Sequence, residues 1–272
     1  MVNRVTVLDT TLRDGAQMEG ISFSVDDKLR IVSKLDELGV AYIEGGWPGS
    51  NAKDAEFFMR ARQLKLKHSR VATFSSTRRV GLPVEQDPSI ASLLDAGMPV
   101  AVIVGKSSSM HVTDVLGTTL EENLAMVQDT VAYLVRHGIE VLYDAEHYFD
   151  GYLLNPEYAI STLRAAQDAG ASTLVLCDTN GGTMPSQVQR IVQETQELLP
   201  QAALGIHAHN DTGVAVANTL AGVEAGCVHV QGTMNGYGER CGNADLCTVV
   251  PNLEIKMGCK ALANGDLSVL TE

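Results

Sequence analysis

The chain has 272 residues, 45% of them hydrophobic, and a formal net charge of −13. That is enough apolar material for one sizeable core. The acidic balance argues against a nucleic-acid partner, whose phosphates call for a basic face, and no apolar run reaches the length that spans a bilayer.

Short β-branched runs alternate with longer amphipathic stretches. Strands are expected at Val5 to Leu8, Ala41 to Glu44, Val71 to Phe74, Val100 to Val104, Glu140 to Tyr143, Thr173 to Cys177, Ala203 to His207 and His229 to Gly232. Between and after them the 3.6-residue pattern predicts helices over Val25 to Leu38, Ala52 to Leu64, Pro88 to Leu94, Leu120 to Arg136, Pro156 to Ala169, Pro185 to Leu199, Val214 to Ala225 and Ala244 to Met257. Ser24, with Asp27 three residues on, reads as an acidic capping box, and Gly39, Gly97, Gly138, Gly170 and Gly226 read as helix stops. Eight β-then-α units in about 250 residues give the count and size of a (β/α)8 TIM barrel, an α/β fold with a parallel eight-stranded sheet and its site at the C-terminal face. A doubly wound open sheet would need a glycine-rich phosphate turn after the first strand, and Asp9-Thr-Thr-Leu-Arg-Asp14 is not one.

Polar residues collect where such a barrel keeps its site. The strands end in Asp9, Arg13 and Asp14; Glu44; Ser75 and Ser76; Lys106; Asp144, Glu146 and His147; Asp178, Thr179 and Asn180; His207, His209, Asn210 and Asp211; and Asn235, Glu239, Arg240 and Asn243, whereas the strand starts carry little of note. Residues i and i+2 of a strand share a side, so His207 and His209 can face one point. The alternative is a hydrogen-bonded surface pair. With Asp14 across the barrel to supply a carboxylate and Asn243 an amide oxygen, a divalent-metal site is the better reading, and Mg, Mn or Zn would each suit the set. Arg13 reads either as a local salt bridge or as a stabiliser of negative charge on a substrate oxygen. Thr179 reads either as a turn cap or as a carboxylate contact, Glu146 as functional rather than merely a loop polar group, and His111 as ambiguous by itself.

The seven basic residues between Arg60 and Arg79 are read as a solvated helix face, with a patch for an anionic cofactor such as coenzyme A as the alternative. Cys177, Cys227, Cys241, Cys247 and Cys259 lack C-x-x-C spacing and read as reduced, packed thiols. The N-terminus enters a strand pattern with no secretory leader, so a cytoplasmic location is expected. Trp47 and the methionines read as packing residues.

Leu12-Arg-Asp-Gly-Ala-Gln17 followed by Lys28, Leu204-Gly-Ile-His-Ala-His-Asn-Asp-Thr-Gly213 and Gly236-Tyr-Gly-Glu-Arg-Cys-Gly-Asn-Ala244 resemble, in order, three motifs of the isopropylmalate, homocitrate and citramalate synthase family. That family belongs to a group of metal-dependent barrels that also holds hydroxymethylglutaryl-CoA lyase. Gly45-Gly-Trp-Pro-Gly-Ser-Asn51 and Tyr143-Asp-Ala-Glu-His-Tyr-Phe-Asp-Gly151 resemble the longer kind of citramalate synthase within it, which joins acetyl-CoA to pyruvate. The resemblance implies a transferase of amino-acid biosynthesis with acetyl-CoA as co-substrate and manganese or magnesium, or else zinc, held by Asp14, His207, His209 and Asn243. Arg13 would then polarise the keto group, Thr179 contact the substrate carboxylate, and Glu146 and His111 line the substrate and acetyl-CoA side.

Residues 1–258 are expected to form the catalytic barrel and 259–272 the start of a linker. Synthases of the family continue into a smaller subdomain and a regulatory region, which supply a His and a Tyr for the acetyl-CoA half-reaction, in some members across a dimer, and a homodimer is expected of the full-length protein. The chain as it stands is therefore expected to keep the metal and oxo-acid site but to condense poorly. The readings weighed against a citramalate-type synthase are 2-isopropylmalate or homocitrate synthase, a retro-aldol lyase of the same barrel group, and a non-catalytic barrel. The choice of oxo acid is not legible, because a few apolar side chains discriminate by only about 1–3 kcal/mol.

Overall fold

The computed structural model describes residues 4–271. Eight parallel strands close in sequence order: β1 (Thr6–Asp9), β2 (Tyr42–Gly46), β3 (Arg70–Ser76), β4 (Val100–Lys106), β5 (Glu140–Glu146), β6 (Thr173–Asp178), β7 (Leu204–Ala208) and β8 (His229–Gly232), with β8 pairing back onto β1. The expected (β/α)8 barrel is thus the fold, and the open-sheet alternative is excluded.

The helices are α1 (Val25–Leu38), α2 (Ala52–Ala61), α3 (Pro88–Ala96), α4 (Leu120–Arg136), α5 (Tyr148–Leu154), α6 (Pro156–Asp168), α7 (Pro185–Leu198), α8 (Ala215–Ala225) and α9 (Leu246–Pro251). The capping box of α1 forms as expected: Asp27 N–H donates to Ser24 Oγ, and Ser24 N–H donates to Asp27 Oδ2. Gly39 then ends the helix at φ 90°, a left-handed stop that suits glycine.

Two differences from the sequence reading concern the loops. Tyr148–Leu154 is helical, a short element that periodicity over seven residues cannot announce. The last helix stops at Pro251 and continues as a π-type turn over Asn252–Lys256, so the long helix expected from Ala244 to Met257 is broken. Lys260 pairs with Arg4 and accepts from Val5 N–H, and Ala261 and Leu262 are buried against the barrel.

Period-two alternation divides the strands' side chains between two cores. Val7, Ile43, Val71, Ala101, Ile103, Val141, Leu174, Leu204 and Ile206 join the helix-facing core. Leu8, Ala72, Phe74, Val100, Val102 and Leu142 form a second cluster inside the barrel. Continuing the inner register to the strand ends brings Glu44, Ser76, Lys106, Asp144, Glu146, His207 and His209 toward the mouth.

The opposite face is richer than expected. Tyr42 Oη donates to Glu140 Oε1, Arg70 pairs with Glu140, and Thr6 Oγ1 meets buried His229 Nδ1 at 2.9 Å. Burial pushes the His229 imidazole down to about 3, so it is a neutral packing residue. Within the basic stretch, Arg60 pairs with Asp26 and Arg70 with Glu140, while Arg78 is buried and pairs with Glu122 and Asp129.

Candidate metal centre and active site

A cavity of about 400 Å³ opens at the C-terminal ends of the strands, with Arg13, Asp14, Lys106, Glu146, Thr179, His207 and His209 among its lining residues. Asp14 enters from the turn after β1, where Thr10 Oγ1 accepts from its backbone N–H. The two histidines come from adjacent inward positions of β7 and its end. His207 Nε2 lies 3.3 Å from Asp14 Oδ2, His209 Nε2 lies 3.8 Å from the same oxygen, and the two Nε2 atoms are 3.3 Å apart. All three side chains are buried, and one donor atom from each falls within 4.8 Å of the others.

Asn243 is delivered by the loop after β8. His209 and Asn243 form an isolated antiparallel bridge, Asn210 N–H donates to Gly242 O, and Asn243 N–H donates to Gly236 O. Gly242 has φ 87°, and a Cβ there would sit 2.0 Å from Gly236 O, so the loop needs glycine at that point. Asn243 Nδ2 donates to Tyr237 O, while its Oδ1 is buried with no partner. A buried amide oxygen left unpaired is costly. A hard cation held also by a carboxylate and two imidazoles would satisfy it, so the donor types fit a divalent metal. Arg240 ties the loop down, donating to both Asp211 oxygens and to Thr179 O.

Electrostatics follow from this crowding. Burial raises the Asp14 carboxyl, but Arg13 and the hydrogen bond with His207 outweigh it and hold the group well below the usual carboxylate range. Burial pulls His207 down, yet the bond and charge of Asp14 leave it above its ordinary value. Burial and the neighbouring His207 push His209 down to about 4.

Arg13 stands beside the cluster. Its Nε donates to Glu44 Oε2 at 2.7 Å, and its guanidinium carbon lies 4.0 Å from the centre of the Phe74 ring. Lys28, the buried cation of the first motif, bonds Gly45 O and Asp54 Oδ1, and Asp54 Oδ2 accepts from Trp47 N–H. It thereby fixes the turn that carries Trp47 into the cavity wall. Trp47 packs edge-on against Phe74 and also lines the cavity, so it does more than the packing expected of it.

Glu146 pairs with Lys106 at the mouth. Thr179 Oγ1 accepts from His147 N–H, which leaves its O–H free to donate. His111 lies farther out, in the turn after β4, with its ring 4.0 Å from that of His147. His147 has φ 55°, a left-handed conformation uncommon outside glycine. Sequence reasoning placed Lys106 and Glu44 at strand ends without a role and did not single out Gln231, which bonds His207 from β8. The signal for Gln231 was its place two residues after His229, in the same inward register.

The fold and this site together define a (β/α)8-barrel enzyme domain with a candidate metal centre at its mouth. The HMGL-like family model matches residues 4–272, and the chain belongs to that family. It is 53% identical to the (R)-citramalate synthase of Aquifex aeolicus over 272 residues, covering 100% of this chain and 52% of that protein. It is 36% identical to a 2-isopropylmalate synthase of Sulfolobus acidocaldarius over 255 residues, 94% of this chain and 63% of that protein. The chain therefore spans about half the length of its citramalate synthase relative. The fold matches an HMG-CoA lyase of Acinetobacter baumannii, solved with coenzyme A and 3-methylmalate, at a TM-score of 0.78 and 21% identity, over 98% of this chain and 88% of that one. The five cysteines are free thiols, and among the described residues no helix is long and apolar enough to cross a membrane.

Proposed function

We propose that the chain is the catalytic barrel of a citramalate-forming synthase, which condenses acetyl-CoA with pyruvate and releases coenzyme A. The observation that carries this reading is the convergence of Asp14, His207 and His209, with the unpaired Asn243 oxygen, beside Arg13 in a cavity sized for small molecules.

In the reaction, a base removes a methyl proton of acetyl-CoA and the resulting enolate carbon bonds to the keto carbon of pyruvate. The keto oxygen takes up a proton, and water cleaves the thioester to give citramalate and the free thiol. Asp14, His207, His209 and Asn243 would hold the divalent ion, manganese or magnesium before zinc, which supplies Lewis-acid stabilisation of negative charge. Arg13, held by Glu44, donates to the keto oxygen as charge develops there. Thr179 gives its free O–H to the substrate carboxylate. Glu146, steadied by Lys106, handles a proton on the acetyl side, where His111 forms the outer wall.

The catalytic barrel is taken as 1–258, with 259–272 opening a linker whose first residues still pack on the barrel. Further sequence of the kind found in the longer relatives is proposed to complete the acetyl-CoA side, as a homodimer in the cytoplasm. The test is a free-thiol assay with acetyl-CoA and Mn²⁺ held constant while pyruvate, 2-oxobutyrate, 2-oxoisovalerate and 2-oxoglutarate are offered in turn. It is run on this chain and on a form lengthened to match the relatives. Thiol release by the long form with pyruvate, and little by this chain, is the expected result. Release with 2-oxoisovalerate instead moves the assignment to isopropylmalate formation, and silence with every oxo acid overturns the synthase reading.

A further inference from the structure

His207 points Nε2 toward Asp14, and its other ring nitrogen, Nδ1, lies 2.9 Å from Gln231 Oε1. Gln231 in turn donates from Nε2 to Asp144 Oδ1 on β5, also at 2.9 Å. His207, Gln231 and Asp144 are all buried, so water does not compete for these bonds.

A carboxamide has one donor end and one acceptor end of nearly the same shape, and the far partner decides which end faces where. The Asp144 carboxylate accepts from the NH₂ group. The carbonyl of Gln231 therefore faces His207, and only an Nδ1–H can meet it. With its proton anchored at Nδ1, the ring has Nε2 left to bind a cation once that atom gives up the proton it shares with Asp14. The inverted amide would place an N–H against Nδ1, move the ring proton to Nε2, and set a donor where a ligand atom is needed. His209 has no equivalent partner, since its Nδ1 is buried and unbonded. His207 is thus the ligand whose ring state the protein sets from behind.

We propose that Gln231, oriented by Asp144, is a positioning residue that fixes the His207 tautomer and so prepares Nε2 to bind the divalent cation. The inference rests on the metal reading of the site and assigns a role to a residue outside the ligand set.

The test measures the Mn²⁺ dissociation constant from the free-ion signal in electron paramagnetic resonance, alongside the melting temperature, for the wild-type chain, Gln231→Leu and the double variant Gln231→Glu with Asp144→Asn. Leucine keeps the bulk and removes both bonds, and the constant is expected to rise about 10- to 100-fold. Glutamate restores an acceptor toward Nδ1, and the Asp144→Asn change supplies it with a donor in place of the lost carboxamide–carboxylate bond, so the pair is expected to bring the constant back to within about threefold of wild type. If the leucine variant fails to fold, Gln231→Met provides the same comparison. A Gln231 that only packs would lower the melting temperature and leave Mn²⁺ affinity unchanged, which overturns the proposal while the metal reading stands. A wild-type chain that binds no Mn²⁺ overturns the metal reading and the proposal with it.

Discussion

Arg13 donates its Nε–H to Glu44 Oε2 at 2.7 Å while its Nη1 lies 3.5 Å from Asp14 Oδ2, so one guanidinium offsets two buried carboxylates, one on β2 and one in the turn after β1. Removing one partner of a buried pair leaves an uncompensated charge, at a cost of about 3–5 kcal/mol. Arg13→Ala is expected to lose stability in that range in urea titrations, and Arg13→Lys less. A change within experimental error for the alanine variant would mean that Glu44 and Asp14 do not depend on Arg13. In a lengthened, active form, the same alanine substitution is expected to lower kcat by about 10²–10³-fold, the scale of a lost oxyanion donor.

The metal cluster makes a prediction about ligand linkage. Mn²⁺ at about 100 times its dissociation constant adds about 2.7 kcal/mol to folding stability, because the converged donors exist only in the folded chain. Excess chelator should remove that increment in wild type. Asp14→Asn and His209→Ala should show no increment at the same Mn²⁺ concentration, as they remove a carboxylate or an imidazole from a three-donor convergence. An increment of wild-type size in both variants would place the ion elsewhere.

Asp9 gives the pH dependence a definite sign. It is buried with Thr11 as its partner, and burial first, then the nearby Glu44 charge, outweigh the Thr11 hydrogen bonds and push it up to about 7 from 3.8. The folded state therefore holds a proton that the unfolded chain releases at lower pH. Its contribution to stability is fully present below about pH 4 and is lost as pH rises through about 7. Asp9→Asn keeps a partner for Thr11 and cannot ionise. The stability of the variant relative to wild type should rise between pH 4.5 and pH 8 in guanidinium titrations. A constant difference across that range would contradict the assignment.

Glu146 and Lys106 form a partly exposed ion pair at the mouth, and pairs of that kind contribute about 0–1 kcal/mol. Glu146→Gln should therefore melt close to wild type. If Glu146 moves a proton in the reaction, the same variant in the long form loses about 10²–10⁴-fold in kcat. A large fall in melting temperature with turnover preserved would assign Glu146 to the fold instead.

The barrel was legible in the sequence, because the eight strands and the longer helices announce their own periods and the eight units repeat in order, whereas the seven-residue α5 was not. The boundaries of α1, α4 and β8 were legible to the residue, since Ser24, Arg136 and Gly232 stand at sharp changes of pattern. The pairing of His207 with His209 was legible too, because strand geometry places i and i+2 on one side. What the sequence left open is set by distance across the barrel. Asp14 and His207 are 193 positions apart, yet the closed sheet brings them within 3.3 Å. Likewise, the Gln231–Asp144 bond spans 87 positions, and the unpaired Asn243 oxygen is visible only once Tyr237 O is seen to occupy its amide nitrogen. Local chemistry writes periods and caps into a sequence. The hydrogen-bond partner of a buried amide or imidazole depends on which strands the barrel makes neighbours, and only the tertiary structure decides that.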